Sequence, residues 1–188
     1  MWALVEDNAI VKIINNPKAM VIGDTRHSRN IFSFRWSNEE REAIGLYEIV
    51  FDNSNKRDEE YYTNTNQSFD FADGVATASF GSATAKELDD VTDEDDNVID
   101  GLKTKHKEII KQQASGLLDK TDWYNHKALD DETFTIPANI TTYRANIRST
   151  SNTMETAIDN ASDVDALADL YVYTDGTRPL GEWPELEV

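Results

Sequence analysis

The chain contains no cysteine, which excludes a disulfide framework and any thiolate-ligated metal and leaves stability to packing or assembly. The three histidines, His27, His106 and His126, are scattered, and no two share the spacing that would put imidazoles on one helix face around a metal. No apolar run approaches the roughly 20 residues that a membrane-crossing helix needs. Positive charge is scarce: 18 Lys and Arg face 36 Asp and Glu, for a net charge of -18. A surface of that potential repels phosphate backbones and anionic lipid, so neither nucleic acid nor a membrane is expected as a partner.

The reactive signatures of enzymes are missing as well. There is no G-x-S-x-G and no P-loop; the stretch GSATAK at Gly81 to Lys86 lacks the second glycine and reads as a loop entering a helix. Carboxylates are so abundant that some pair falls close in any fold, and abundance nominates none of them as catalytic. The expectation is a protein that is not an enzyme, with no catalytic, cofactor-binding or metal-ligating residues. The opening MWALVEDNAIVKIINNP carries Glu6 and Asp7 in place of a basic segment followed by a long apolar run. It does not read as a signal peptide, and a protein made and kept in a cytoplasm is expected.

What is present divides by pattern. A chain of 188 residues suffices for one domain or two small ones and normally buries about 70% of its extended surface. With 39% hydrophobic and 29% charged residues, folded parts with polar joints are expected. Trp2 to Val5 and Ala9 to Ile14 are short apolar runs around a polar turn, the spacing of a hairpin. Ser37 followed by Glu40 forms a capping box for one short helix, which Gly45 stops, and Leu46 to Phe51 reads as a strand. Phe69 and Phe71 alternate with polar residues, then come Asp73 and Gly74, then Val75 to Phe80: a second hairpin. The polar run YYTNTNQ is expected as an edge strand.

Residues 86 to 100 hold one lysine and eight carboxylates. Such a density of like charge reads as a solvated connector. A calcium loop is the sharper alternative, because Asp93, Asp95 and Asn97 alternate. However, Val98 and Thr104 stand where that loop requires a glycine and a bidentate glutamate.

The remainder is helical. Leu102, Ile109, Ile110, Leu117 and Leu118, with His106, Gln113 and Ala114, follow a helical period over about four turns, and lysines occupy mostly the other face. A second helix starts at Pro137 and places Ile140, Tyr143, Ile147 and Met154 on one side. Asn152 with Glu155, and Ser162 with Asp165, look like further helix starts. Between the two main helices, LLDKTDWYNHKA reads as the elbow of an antiparallel hairpin. There Asp122 forms an Asx turn, Trp123 and Tyr124 fold back onto Leu117 and Leu118, and Arg144 and Arg148 reach carboxylates among Asp119, Asp122, Asp130 and Asp131. The expected organisation is α+β: a small antiparallel β-rich leader domain with one short helix (1–82), an acidic linker (83–100) and a helical-hairpin domain (101–188).

The pieces GLKTKHKEIIKQQASGLLDKTDW, IPANITTYRANIR and RPLGEWPELE resemble the C-terminal region of tail fibre assembly and tail assembly chaperone-type proteins of tailed bacteriophages. An LL-x-x-TDW pattern (Leu117, Leu118, Thr121, Asp122, Trp123), a YR-x-x-x-R pattern (Tyr143, Arg144, Arg148) and a WP pair (Trp183, Pro184) carry the likeness, which covers about residues 101 to 188. Ile147 stands where the family more often has Leu, and a long segment separates Arg148 from the WP pair. WSNEEREAIGLYEIVFDN is similar to the small β-rich leader of some phage tail proteins. The resemblance implies an assembly factor or adaptor that binds a fibre or baseplate subunit in the host cytoplasm during assembly, with a permanent component of the virion tail as the alternative and a host-directed acidic binding protein ranked last. Self-association into a homo-oligomer is also allowed. Ile109, Ile110, Leu117, Leu118, Trp123, Tyr143, Arg144, Arg148 and Trp183 are the residues expected in the partner contact or in the hairpin core, and no cofactor is implied.

Overall fold

Asp7 and Asn8 both adopt positive φ, at 51° and 61°, the geometry of a two-residue type I′ turn whose twist matches the flanking strands. They join β1 (Trp2–Glu6) to β2 (Ala9–Ile14) in an antiparallel pair with a bulge at Leu4 and Val5. The computed structural model describes residues 1–186 and divides the chain into two units, 1–84 and 85–188.

In the first unit, β3 (Met20–Ile22) and β4 (Thr25–His27) form a separate small hairpin, followed by a 3₁₀ turn (Arg29–Phe32) and α1 (Asn38–Glu42). The capping box of α1 is complete: the Ser37 hydroxyl accepts the Glu40 N–H at 3.2 Å, and the Glu40 carboxylate accepts the Ser37 N–H at 2.8 Å. Gly45 ends the turn after α1 at φ 74° and lies so close to β1 that a Cβ would sit 2.4 Å from the Val5 carbonyl oxygen. Only glycine combines that conformation with that approach.

There follow β5 (Leu46–Asp52), the two-residue β6 (Tyr62–Thr63), β7 (Ser68–Ala72) and β8 (Val75–Ser79), with β9 (Thr84–Ala85) at the boundary between the units. The main sheet has the order β2-β1-β5-β8-β7. It is mixed where an antiparallel sheet was expected, because β8 pairs parallel to β5, with Ile49 opposite Ala76. The β7–β8 hairpin docks by its second strand since Ala76 and Ala78 bury completely between two neighbours, whereas most of β7 stays exposed and suits an edge.

Side chains alternate between two cores. Ala3, Val5, Ile49, Ala76 and Ala78 pack on one face, and Leu4, Ile14, Ile31 and Leu46 on the other, beneath the 3₁₀ turn and Trp36. The edge strands β2 and β7 touch, so the sheet curls. The run YYTNTNQ is not an edge strand beyond Tyr62 and Thr63. Its polar side chains bond loop backbone instead: Asn64 exchanges two hydrogen bonds with Arg57, and the Thr65 hydroxyl accepts from Gly81.

The second unit begins within the acidic segment. Residues 85–100 are almost all exposed, as their charge requires, yet they differ from an unstructured connector. Here β10 (Val91–Thr92) pairs antiparallel with β11 (Val98–Ile99) around a turn in which Asp93 accepts bonds from Asp95 and Asn97. The Asp90 carboxylate accepts the Gly101 N–H at 2.8 Å, and Glu87 and Leu88 carbonyls accept from Leu102 and Lys103. The segment thereby supplies the partners that the first turn of the next helix lacks. Four helices follow: α2 (Leu102–Asp119), α3 (Asp122–Asp130), α4 (Ala138–Asp159) and α5 (Val164–Asp169). Two expected helix starts move. Asn152 lies inside α4, which continues unbroken because Met154 and Ile158 extend its buried stripe, and α5 is capped by Asp163, whose side chain accepts from Ala166. No helix among the described residues is long and apolar enough to cross a membrane.

Candidate functional site

The candidate site is the hairpin of α2 and α4 with its elbow. Leu102, His106, Ile110 and Ala114 recur every four residues and are the buried positions of α2, while α4 buries Ile140, Tyr143, Ile147, Met154 and Ile158. The pairings fix an antiparallel arrangement. Lys107 meets Asp159 at 2.7 Å, Lys111 meets Glu155 at 3.5 Å, Ala114 packs with Tyr143 and Ile147, and Arg144 reaches the end of α2.

At the elbow the three short motifs converge. The Arg144 guanidinium, almost fully buried, donates from Nη1 to the Leu118 carbonyl at 2.8 Å and to the Thr121 hydroxyl at 2.7 Å, and its Nη2 pairs with Asp122 at 2.7 Å. Thr121 is itself buried and donates its hydroxyl proton to the Leu118 carbonyl. One planar cation thus ties the end of α2, the start of α3 and the middle of α4, a task for which a guanidinium fork is suited and a lysine is not. Arg148 takes no part. It donates to the Arg144 carbonyl at 3.3 Å and forms no ion pair among the described residues.

Two expectations at the elbow are corrected. The connection is not a bare Asx turn but the nine-residue helix α3, whose first residue, Asp122, gives its carboxylate to Arg144. Trp123 is not a core residue of the hairpin: it is 52% exposed. Its ring lies tilted by 30° against Tyr124 at 3.8 Å between centroids, with Phe134 6.4 Å away, whereas Leu117 and Leu118 pack on the cluster of Ala114, Tyr143 and Ile147. Trp183 joins the cluster against which those leucines pack. It packs against the cluster of Ala114, Tyr143 and Ile147 and donates its indole N–H to the Gln113 side chain at 3.0 Å. A shallow depression of about 340 Å³ lies beside it, lined by Gln113, Gly116, Leu117, Arg178 and Trp183.

Of the nine residues singled out, Ile110 and Tyr143 are core, Leu117, Leu118 and Trp183 are half-buried in the same cluster, and Arg144 is the tie. Ile109 is exposed, since it lies one position off the stripe that Ile110 occupies. Buried His106 meets half-buried Tyr171, with Nδ1 and the phenol oxygen 2.8 Å apart, a pair that the helical stripe of His106 does not reveal because Tyr171 is distant in sequence. Among the described residues no group of histidines and carboxylates is arranged to hold a metal ion. Comparison with protein-family models, with curated proteins and with solved structures finds no match to this chain.

Proposed function

We propose that this chain is a non-catalytic bacteriophage tail protein that binds another tail subunit, of a fibre or a baseplate, as an assembly factor or adaptor acting in the host cytoplasm during assembly. One observation supports the reading above the others. The separate motifs that carry the resemblance belong to a single joint: Leu118, Thr121 and Asp122 of the first meet Arg144 of the second, and Trp183 of the third packs, like Leu117 and Leu118, against the cluster that contains Tyr143. Residues scattered through sixty-odd positions of sequence by chance would have no reason to share one network. The motif is then a rigid framework that presents the elbow. Co-expression with the neighbouring fibre and baseplate proteins, followed by co-purification, tests the proposal. A complex of defined stoichiometry is the expected result, and failure to bind any of them counts against it.

A further inference from the structure

We propose that the outer side of α3 is the docking surface, and that its occupant is a protein segment with an apolar centre and basic flanks. This rests on the subunit-binding reading above. None of the nine residues of α3 is buried, and a helix so short does not persist without tertiary support. Its support comes from the elbow, through Thr121 and the Asp122–Arg144 pair, and Trp123 stays exposed while Tyr124 and Phe134 are half-buried beside it. Trp123, Tyr124 and Phe134 form one patch there: their centroids lie 3.8 to 6.4 Å apart and their planes are inclined by 25° to 35°. Lys127 holds Phe134 in place from above its ring, at 4.3 Å. Rings restrained in this way lose little freedom on binding, which is the property of interface anchors.

Charge selects the occupant. From residue 119 to residue 134 the chain carries five carboxylates against two lysines. Asp122 is used by Arg144 and Asp131 by Thr133, which leaves exposed Asp119 before α3 and exposed Asp130 and Glu132 at its far end. A second copy of a chain with net charge -18 would bring like charge against like. A segment with Lys or Arg on either side of an apolar stretch meets complementary charge at the two ends of α3 and the exposed Trp123 ring between them.

The test is calorimetric titration of the full chain with an 18-residue amphipathic helical peptide of leucine and lysine at physiological salt, alongside a scrambled peptide of identical composition without an apolar face. Wild type is expected to bind the amphipathic peptide at least tenfold more tightly than Trp123→Ser does, with Trp123→Phe restoring most of the difference and the scrambled peptide failing to distinguish the variants. Charge reversal by Asp130→Lys with Glu132→Lys, at exposed positions whose replacement leaves the helix signal intact, is expected to weaken binding and flatten its salt dependence. Equal affinity of wild type and Trp123→Ser overturns the inference, as does a wild-type dimer in sedimentation that Trp123→Ser converts to monomer. Neither result touches the subunit-binding reading, which co-purification decides.

Discussion

Replacing Arg144 by methionine removes the guanidinium donors from the elbow while keeping length and apolar bulk. The Leu118 carbonyl is not orphaned, since the Thr121 N–H and hydroxyl still donate to it at 2.9 Å each. Asp122 is 42% exposed and rehydrates, so the ion pair itself contributes less than about 1 kcal/mol. What is lost is the pair of bonds from a charged, buried donor to Leu118 and Thr121, in a setting where such bonds contribute about 1.5 to 3 kcal/mol each when nothing replaces them. With the carbonyl partly compensated, the net cost comes to about 2 to 3 kcal/mol, below the roughly 3 to 5 kcal/mol of a fully buried pair broken on one side. Urea unfolding followed by circular dichroism at 222 nm reads this, because every α-helix except α1 lies in the second unit. With a denaturant slope of about 1.5 kcal/mol/M, the midpoint falls by roughly 1.3 to 2 M. Arg144→Lys recovers only part of the loss, as one ammonium cannot reproduce the fork. A midpoint for Arg144→Met within about 0.3 M of wild type, on the same slope, would refute the assignment of the elbow to this cation.

Trp123→Ala is expected to shift stability by no more than about 0.5 kcal/mol, whereas Trp183→Ala, which strips packing from the cluster of Ala114, Tyr143 and Ile147 and loses the bond to Gln113, costs about 2 kcal/mol by the same denaturation; equal effects would contradict the different roles of the two tryptophans. Gly45→Ala places a Cβ against the Val5 carbonyl in a left-handed conformation and is expected to destabilise the first unit by at least about 2 kcal/mol, seen as a lowered Tm of its aromatic signal. The Asp90 carboxyl is held below the usual aspartate range first by the Gly101 N–H and then by the Thr104 hydroxyl. A depressed folded-state pKa means that its hold on the start of α2 is complete above about pH 4 and is lost as pH falls through that pKa. The Gly101 amide resonance should therefore titrate with a midpoint below that of an unperturbed aspartate, and a midpoint at or above the ordinary value would show that the bond is not formed.

Local signals carried much of this fold. The Ser37–Glu40 box, the Asp7–Asn8 and Asp73–Gly74 turns and the stripes of α2 and α4 are set by residues within a few positions of one another, so their chemistry is visible in the string. The parallel β5–β8 pair is not, because nothing in either strand states which member of a hairpin will face β5; that choice follows from the burial of Ala76 and Ala78 in three dimensions. The exposure of Trp123 is hidden from the sequence for a related reason. Aromatic bulk next to a leucine pair suggests a core, but it is Trp183, about sixty residues on, that joins Leu117 and Leu118 against the hairpin cluster. Charge density correctly signalled exposure of the acidic segment, yet it concealed the capping of α2 by Asp90, which depends on one carboxylate and one N–H.

Quantitative mass spectrometry of assembly intermediates and of purified particles is the most direct test of the tail-protein proposal. The account predicts the chain in fixed ratio to a fibre or baseplate subunit in at least one of the two, in intermediates alone for an assembly factor and in particles as well for an adaptor. Its absence from both would contradict the account.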